Sequence, residues 1–129
     1  TASPMLFALL IFAGLTNCSA TDGDTIRCGQ ERIRLLGIDA PELPGHCRKG
    51  RKCAPGDPVR SKKLLAQAMR SGPLTIRRFG KDHYDRTLAT MRAGKTDLSC
   101  WQLAHRAAIY KPKWDNRRAV ARTCPALTR

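Results

Sequence analysis

The chain has 129 residues and carries 24 Lys and Arg against 10 Asp and Glu, a formal net charge of +14 at pH 7. That length holds one domain with a modest core, and a hydrophobic fraction of 42% with six cysteines excludes a disordered basic tail. The charge excess calls for a polyanionic partner, and no apolar stretch reaches the roughly 18 residues of a membrane span, so stable membrane insertion is not expected.

In chain order, residues 5–15 (MLFALLIFAGL) form an apolar run of the length of a signal-peptide core. Two readings stand for residues 1–17: the remnant of an export signal, or an extension of a first buried strand. The domain proper is taken as residues 18–129. Its cysteines, at 18, 28, 47, 53, 100 and 124, contain no Cys-x-x-Cys and match no common zinc module. A disulfide framework is expected instead, hence an oxidising compartment, secreted or periplasmic. Cys18 and Cys28 flank a short turn and would join neighbouring strands. Cys47 and Cys53 would close the basic loop between them, which leaves Cys100 with Cys124.

Segments 25–28 and 33–38 read as strands around a turn at Gly29-Gln30. A Pro-, Gly- and cation-rich loop follows from 40 to 56. Asp57-Pro58 supplies an N-cap and a first-turn proline for a helix to about residue 70, with Val59, Leu65, Ala68 and Met69 on one face. Ser71-Gly72-Pro73 ends it. Segments 74–79 and 87–93 are further strands, Asp97 caps a helix over 98–106, and Asp115 caps a short one near 117–122. Strands, helix, strands, helix is an α+β order, mainly β. It fits a five-stranded Greek-key barrel of OB-fold type with two to three helices.

Five of the ten acids fall between residues 22 and 42, and four of those five stand in two short motifs, Asp22-Gly23-Asp24-Thr25 and Asp39-Ala40-Pro41-Glu42. These motifs occupy opposite ends of a hairpin-like pair of strands, so they meet in space. Two carboxylates about 4 Å apart repel by about 4 kcal/mol at an effective dielectric near 20. Such a pair is stable with a hard cation between its oxygens, calcium or magnesium, or with one raised pKa and a shared proton. Arg34 lies in the same strand as Asp39, but alternation sets the two on opposite faces. A site using both needs a distortion near Gly37, where a glycine suits a bulge. The loop cations Arg48, Lys49, Arg51 and Lys52 read as a rail for a phosphate backbone, stapled so that less freedom is lost on binding.

Those two acidic motifs, with the strand Ile33-Arg34-Leu35-Leu36-Gly37-Ile38 and the segment Asp82-His83-Tyr84-Asp85-Arg86, strongly resemble the staphylococcal nuclease (thermonuclease) family over about residues 20–112. The resemblance implies an OB-fold enzyme that hydrolyses phosphodiester bonds of DNA and/or RNA with one Ca2+ and little sequence preference, expected here as a monomer. Asp24 and Asp39 would bind the metal by carboxylates and Ala40 by its backbone carbonyl, with Asp22 supporting that shell. Glu42 would orient or deprotonate water, and Arg34 and Arg86 would grip the scissile phosphate. Tyr84 would contact a neighbouring phosphate, His83 another, and Tyr110 falls in the matching Tyr-Lys-Pro segment. The chain departs from the pattern at Ala40 (often Thr), His83 (often Lys), Asp85 (usually Gly) and Ala108 (a tyrosine). An acid at 85 stands where it could pair with Arg86. The alternative to an enzyme is an OB-fold module that binds nucleic acid and cuts it weakly.

Overall fold

The computed structural model describes residues 15–129, so residues 5–14 of the apolar run lie outside the described residues, and with them the two readings of that run. Three short strands open the described chain: β1 (Cys18–Asp22), β2 (Thr25–Cys28) and β3 (Glu31–Leu35). They form an antiparallel meander, with Cys18 opposite Cys28 and Thr25 opposite Arg34. Gly29, at φ +60, supplies the left-handed residue that the β2–β3 turn requires.

The strand expected over 33–38 is broken. β3 stops at Leu35, and β4 (Ile38–Asp39) begins after a turn whose pivot, Gly37, has φ +75. The chain then runs through the basic loop to helix α1 (Pro58–Met69), strands β5 (Leu74–Lys81), β6 (Thr87–Ala93) and β7 (Thr96–Asp97), helix α2 (Leu98–Ala104), strand β8 (Ile109–Tyr110) and helix α3 (Ala119–Thr123). Single 3-10 turns at Pro112–Trp114, Asn116–Arg118 and Pro125–Leu127 shape the C-terminal part.

Strand order is β1-β2-β3-β6-β5, with β7 on β6, and β4 pairs with β8 in a separate two-stranded sheet. The β3–β6 pairing is parallel and the others are antiparallel. The architecture is mixed α+β, but the ladder is open among the described residues: β1 and β5 stand at its two ends. A closed five-stranded barrel is therefore not what the hydrogen bonds form.

Side chains from the three helices and the sheet make one core. In β6, Thr87, Ala89, Met91 and Ala93 alternate inward, as a half-buried strand demands. They meet Ile26, Ile33, Leu35, Leu65 and Leu98, all essentially excluded from water. Truncating one such residue, Leu65→Ala for example, costs about 2–5 kcal/mol. Asp57 caps α1 by accepting from the Val59 and Arg60 amides, and Asp97 caps α2 by accepting from the Cys100 amide. The expected inward face of α1 needs one correction. Val59 is exposed, and Ser61 takes the buried position, because its hydroxyl donates to the Ala107 carbonyl and its turn packs against Gly23.

Disulfides join Cys18 to Cys28, Cys47 to Cys53 and Cys100 to Cys124. They staple β1 to β2, close the basic loop, and tie α2 to the end of α3. Three bridges in a chain of this size fit an oxidising compartment. No described helix is long and apolar enough to cross a membrane.

Glu31 is the polar clasp of the sheet. Its carboxylate accepts from Arg78 Nε and a terminal Arg78 nitrogen at 2.9 and 2.8 Å and from the Thr87 hydroxyl at 2.7 Å, joining β3 to β5 and β6. The Arg78 hydrogen bonds lower its pKa from 4.5 to about 2. A carboxyl depressed on folding stabilises the fold fully above its unfolded pKa, and loses that contribution as pH falls through the folded one. Glu31→Gln should therefore be less stable than the parent at pH 6, and the gap between them should narrow as pH drops from 4.5 toward 2. Chemical denaturation across that range reads the gap; a gap of constant size would contradict the clasp.

Candidate active site

The acidic motifs converge at the junction of the meander with β4. Within Asp22-Gly23-Asp24, the Asp24 amide donates to the Asp22 carboxylate at 3.1 Å, a tight turn between β1 and β2. One Asp24 oxygen accepts from the Thr25 hydroxyl at 2.9 Å, and the other accepts from the Ala40 amide at 2.8 Å. That second bond fastens the first acidic motif to the second, sixteen residues later, and holds the Ala40 peptide beside Asp24. Asp24 and Asp39 are both buried, with 6% and 2% of their surface exposed.

Arg34 lies between them. A terminal nitrogen stands 3.3 Å from Asp24 and 3.9 Å from Asp39, while the other donates to the Leu35 carbonyl. The distortion required for Arg34 and Asp39 to share a side is the turn at Gly37. Its amide donates to the Trp114 carbonyl at 2.8 Å and its carbonyl accepts from the Lys111 amide at 2.7 Å, so the turn is clamped to the C-terminal segment. A Cβ there would lie 3.0 Å from a Val120 methyl.

The field of this junction is written in its pKa values. Burial, reinforced by the neighbouring Asp24, pushes Asp22 up to about 7. Burial would also raise Asp24, but Arg34 and the hydrogen bonds from Asp22, the Ala40 amide and Thr25 carry it below the usual carboxylate range. Asp39 is raised by burial and by the charge of Asp24, against the opposing pull of Arg51 and Arg34. Three acids thus share too little water and too little positive charge for all to ionise freely.

Arg51, expected as part of the phosphate rail, also stands on the acids. Its guanidinium leaves the disulfide-closed loop to contact Glu42 at 2.7 Å and Asp39 at 3.3 Å. The loop is therefore more than a solvated rail: Lys49 and Lys52 are exposed, but Arg51 stands on the acids and Arg48 donates to the Tyr84 hydroxyl at 3.3 Å. Tyr84 is nearly half exposed, with the His83 ring 4.0 Å away and the Arg86 guanidinium 5.4 Å from its ring centre.

Arg86 is engaged by Asp82, whose carboxylate accepts from both its amide and its Nε, at 2.9 and 2.8 Å. Although burial opposes it, the Arg86 and Tyr84 donors hold Asp82 below the usual range. Asp85 pairs with Lys81 at 3.2 Å instead, at a left-handed φ of +65 that aspartate tolerates. The acid next to Arg86 in sequence is thus turned away from it, and the acid four residues back orients it. Tyr110 sits in β8 opposite Ile38, and its hydroxyl donates to Asp115 at 2.7 Å, which together with burial raises it to about 12. Trp114 is 39% exposed, with Arg34 and Lys111 over its ring at 5.3 and 5.4 Å.

Two further residues support the junction without a signal in the sequence. Gln102, fully buried on α2, donates to the carbonyls of Gly23 and Ser61 at 2.8 and 2.9 Å, tying the acidic turn to both helices. A Cβ at Gly23 would lie 1.8 Å from the Ser61 hydroxyl oxygen, so only glycine lets that turn approach α1 so closely. As a container for a cation, the donors are hard oxygens, the chemistry that calcium prefers. Among the described residues, however, no three His, Cys, Asp or Glu side chains stand as a ready metal cluster.

Gly37 and Gly29 offer a matched test of what shapes the junction. Both are left-handed, yet no atom lies within 4 Å of a Cβ at Gly29. Gly29→Ala should cost about 1–2 kcal/mol of strain. Gly37→Ala should cost that plus roughly 1–3 kcal/mol for crowding Val120. Urea unfolding compares them; equal losses would show that Val120 does not restrict the turn.

No model of a known protein family matches the chain. The chain is similar to a Haemophilus influenzae protein described as an "Uncharacterized endonuclease", 34% identical over 106 aligned residues that cover 70% of this chain and 54% of the relative. The chain thus matches about half the length of that protein.

Proposed function

We propose that this protein is a calcium-dependent nuclease that hydrolyses phosphodiester bonds of DNA and/or RNA with little sequence specificity, a thermonuclease-like hydrolase acting outside the reducing cytoplasm. The observation that carries this reading is the meeting of Asp24, Arg34 and Asp39 at one junction, two buried acids bridged by a guanidinium, with Glu42 tied to Asp39 through Arg51. Similarity to an endonuclease supports it, as do the net charge of +14 and the acidic and arginine motifs. In the same reading the open sheet is an OB-type Greek key, and the whole chain acts as a monomer.

Asp24 and Asp39 would hold the cation by carboxylate oxygens, Ala40 by its carbonyl, and Asp22 would support them. Bound there, calcium would act as a Lewis acid on phosphate oxygen. Glu42 is the candidate base, oriented toward the junction by Arg51. Attack on a phosphodiester loads negative charge onto equatorial oxygens, and arginine suits that load because its planar fork donates two bonds and stays protonated. Asp82 fixes Arg86 by Nε, and among the described residues its terminal nitrogens have no hydrogen-bond partner, so they can meet a phosphate. Arg48 and Tyr84 would position the next phosphate along the strand.

The first test is cleavage of single-stranded DNA and RNA with calcium, with magnesium and with chelator. Cleavage should require calcium, and Glu42→Ala and Arg86→Ala should each lower it roughly 10²–10³-fold while circular dichroism stays native. Retarded but uncut strands under every condition would instead favour a binding module. Arg51 gives a second test. Because its ion pairs occupy Asp39 and Glu42, Arg51→Ala should tighten calcium binding roughly two- to fivefold by calorimetry, the scale of a partly exposed pair. Weaker binding in that variant would contradict the competition.

A further inference from the structure

Arginines from two Arg-Arg pairs in the sequence, at 77–78 and 117–118, come near one another in space. Arg77, Arg78 and Phe79 of β5 and Asn116 and Arg117 of the turn before α3 line a cleft of about 350 Å³. We propose that this cleft is a second contact for a single nucleic-acid strand, taking a backbone phosphate between Arg77 and Arg117 and a base against the stacked Arg77 and Phe79. The proposal extends the nuclease reading, since it assigns the substrate of that site a further foothold.

The cleft is shaped by a β-bulge. Arg78 pairs with Ala89 and Gly80 with Leu88, so Phe79 has no partner across the ladder. Bulges re-aim side chains, and here the Arg77 guanidinium stands 4.9 Å from the Phe79 ring centre. Arg78 is spent on Glu31, as its two hydrogen bonds show. Among the described residues neither Arg77 nor Arg117 has a carboxylate partner, so the charge they bring to the cleft is uncompensated.

Arg117 is also presented by a strained backbone. It and Arg118 are consecutive left-handed residues, both at φ +55, a conformation that side chains avoid. Such strain persists only where surrounding bonds over-determine it. Those bonds are present: the Arg118 amide donates to the Asp115 carbonyl, Arg122 donates to the Arg117 carbonyl, and the Asp115 carboxylate accepts from the Val120 and Ala121 amides. Asp115 thus caps α3 from a distance and fixes the turn that carries Arg117.

Continuity with the acid junction gives the cleft its partner. Trp114, three residues before Arg117, has Arg34 over its ring. Three residues reach at most about 10 Å, so the backbone that carries Arg117 lies within that span of the Trp114 backbone. Phosphates between guanidiniums and a base on an aromatic platform are how single strands are held without sequence preference. A sulfated polysaccharide would meet the cations but has no base for Phe79.

The test is binding of a fluorescein-labelled single-stranded 20-mer, by anisotropy in excess chelator so that nothing is cut, over a range of NaCl. Arg77→Gln/Arg117→Asn is the variant, asparagine being chosen because it tolerates a left-handed backbone. Its Kd should rise about tenfold or more at 0.1 M salt, and the slope of log K against log salt should shrink by about 1.4, two contacts at about 0.7 each. Phe79→Leu should weaken the 20-mer and leave heparin binding unchanged. An unchanged Kd and slope in the double variant would overturn the cleft, and Phe79→Leu without effect on the 20-mer would overturn the base contact. Binding is read without catalysis, so the two readings fail separately. A parent protein that binds through the cleft but never cuts sinks the nuclease and keeps the cleft; one that cuts with the double variant binding normally does the reverse.

Discussion

Like charges kept out of water are the constraint on which this molecule turns. Asp22, Asp24 and Asp39 share one junction, and two of them are almost wholly buried. Charges of one sign held close together and away from water repel. The structure answers in two ways. It lifts the proton affinity of Asp22 and Asp39, and it threads guanidinium groups among the carboxylates, Arg34 from β3 and Arg51 from the stapled loop. A fold selected for stability alone would have put apolar residues there, since buried ion networks seldom repay their desolvation. These are the carboxylates to which the proposed function assigns a cation.

Several contacts around the junction bring its members together. Antiparallel pairing of β2 with β3 returns the chain to Asp24, the Gly37 turn swings Asp39 toward Arg34, and the β4–β8 pair anchors the far side. Gly23 allows close approach of α1, and Gln102 fastens that approach by two hydrogen bonds. The disulfide at Cys47 and Cys53 limits how far Arg51 can wander from the acids. The C-terminal segment does double service, clamping Gly37 through Trp114 and Lys111 and orienting Tyr110 through Asp115.

Much of this was legible in the residues, and the illegible part has physical causes. Hairpin geometry brings the two acidic motifs near one another, and the conflict between Arg34 and Asp39 across a regular strand already called for a distortion near Gly37, the turn that completes the approach. Helix starts were legible because Asp57 and Asp97 cap them by local chemistry. The roles of Arg51, Ser61 and Gln102 were not, since each acts through contacts dozens of residues away or through a loop whose path no local rule sets. Choice of the acid that holds Arg86 went the same way: adjacency favours Asp85, but the turn points Asp85 at Lys81 and Asp82 at Arg86. Period alone put Val59 on the inner face of α1, whereas the approach of Gly23 decided for Ser61. Closure of the sheet was the least legible feature, because it depends on whether two edge strands hydrogen-bond.

The positive charge and the acidic junction divide the work of the proposed function. Uncompensated arginines and lysines draw a polyanion to the surface, while the rare carboxylates define where chemistry would occur. Arg51 links the two, a surface cation that stands on Asp39 and Glu42. A crystal structure of the protein grown with calcium tests this account most directly. It predicts calcium on the Asp24 and Asp39 carboxylates with Arg51 withdrawn from Asp39. Calcium bound elsewhere or not at all, with Arg51 still seated on Asp39 and Glu42, would contradict it.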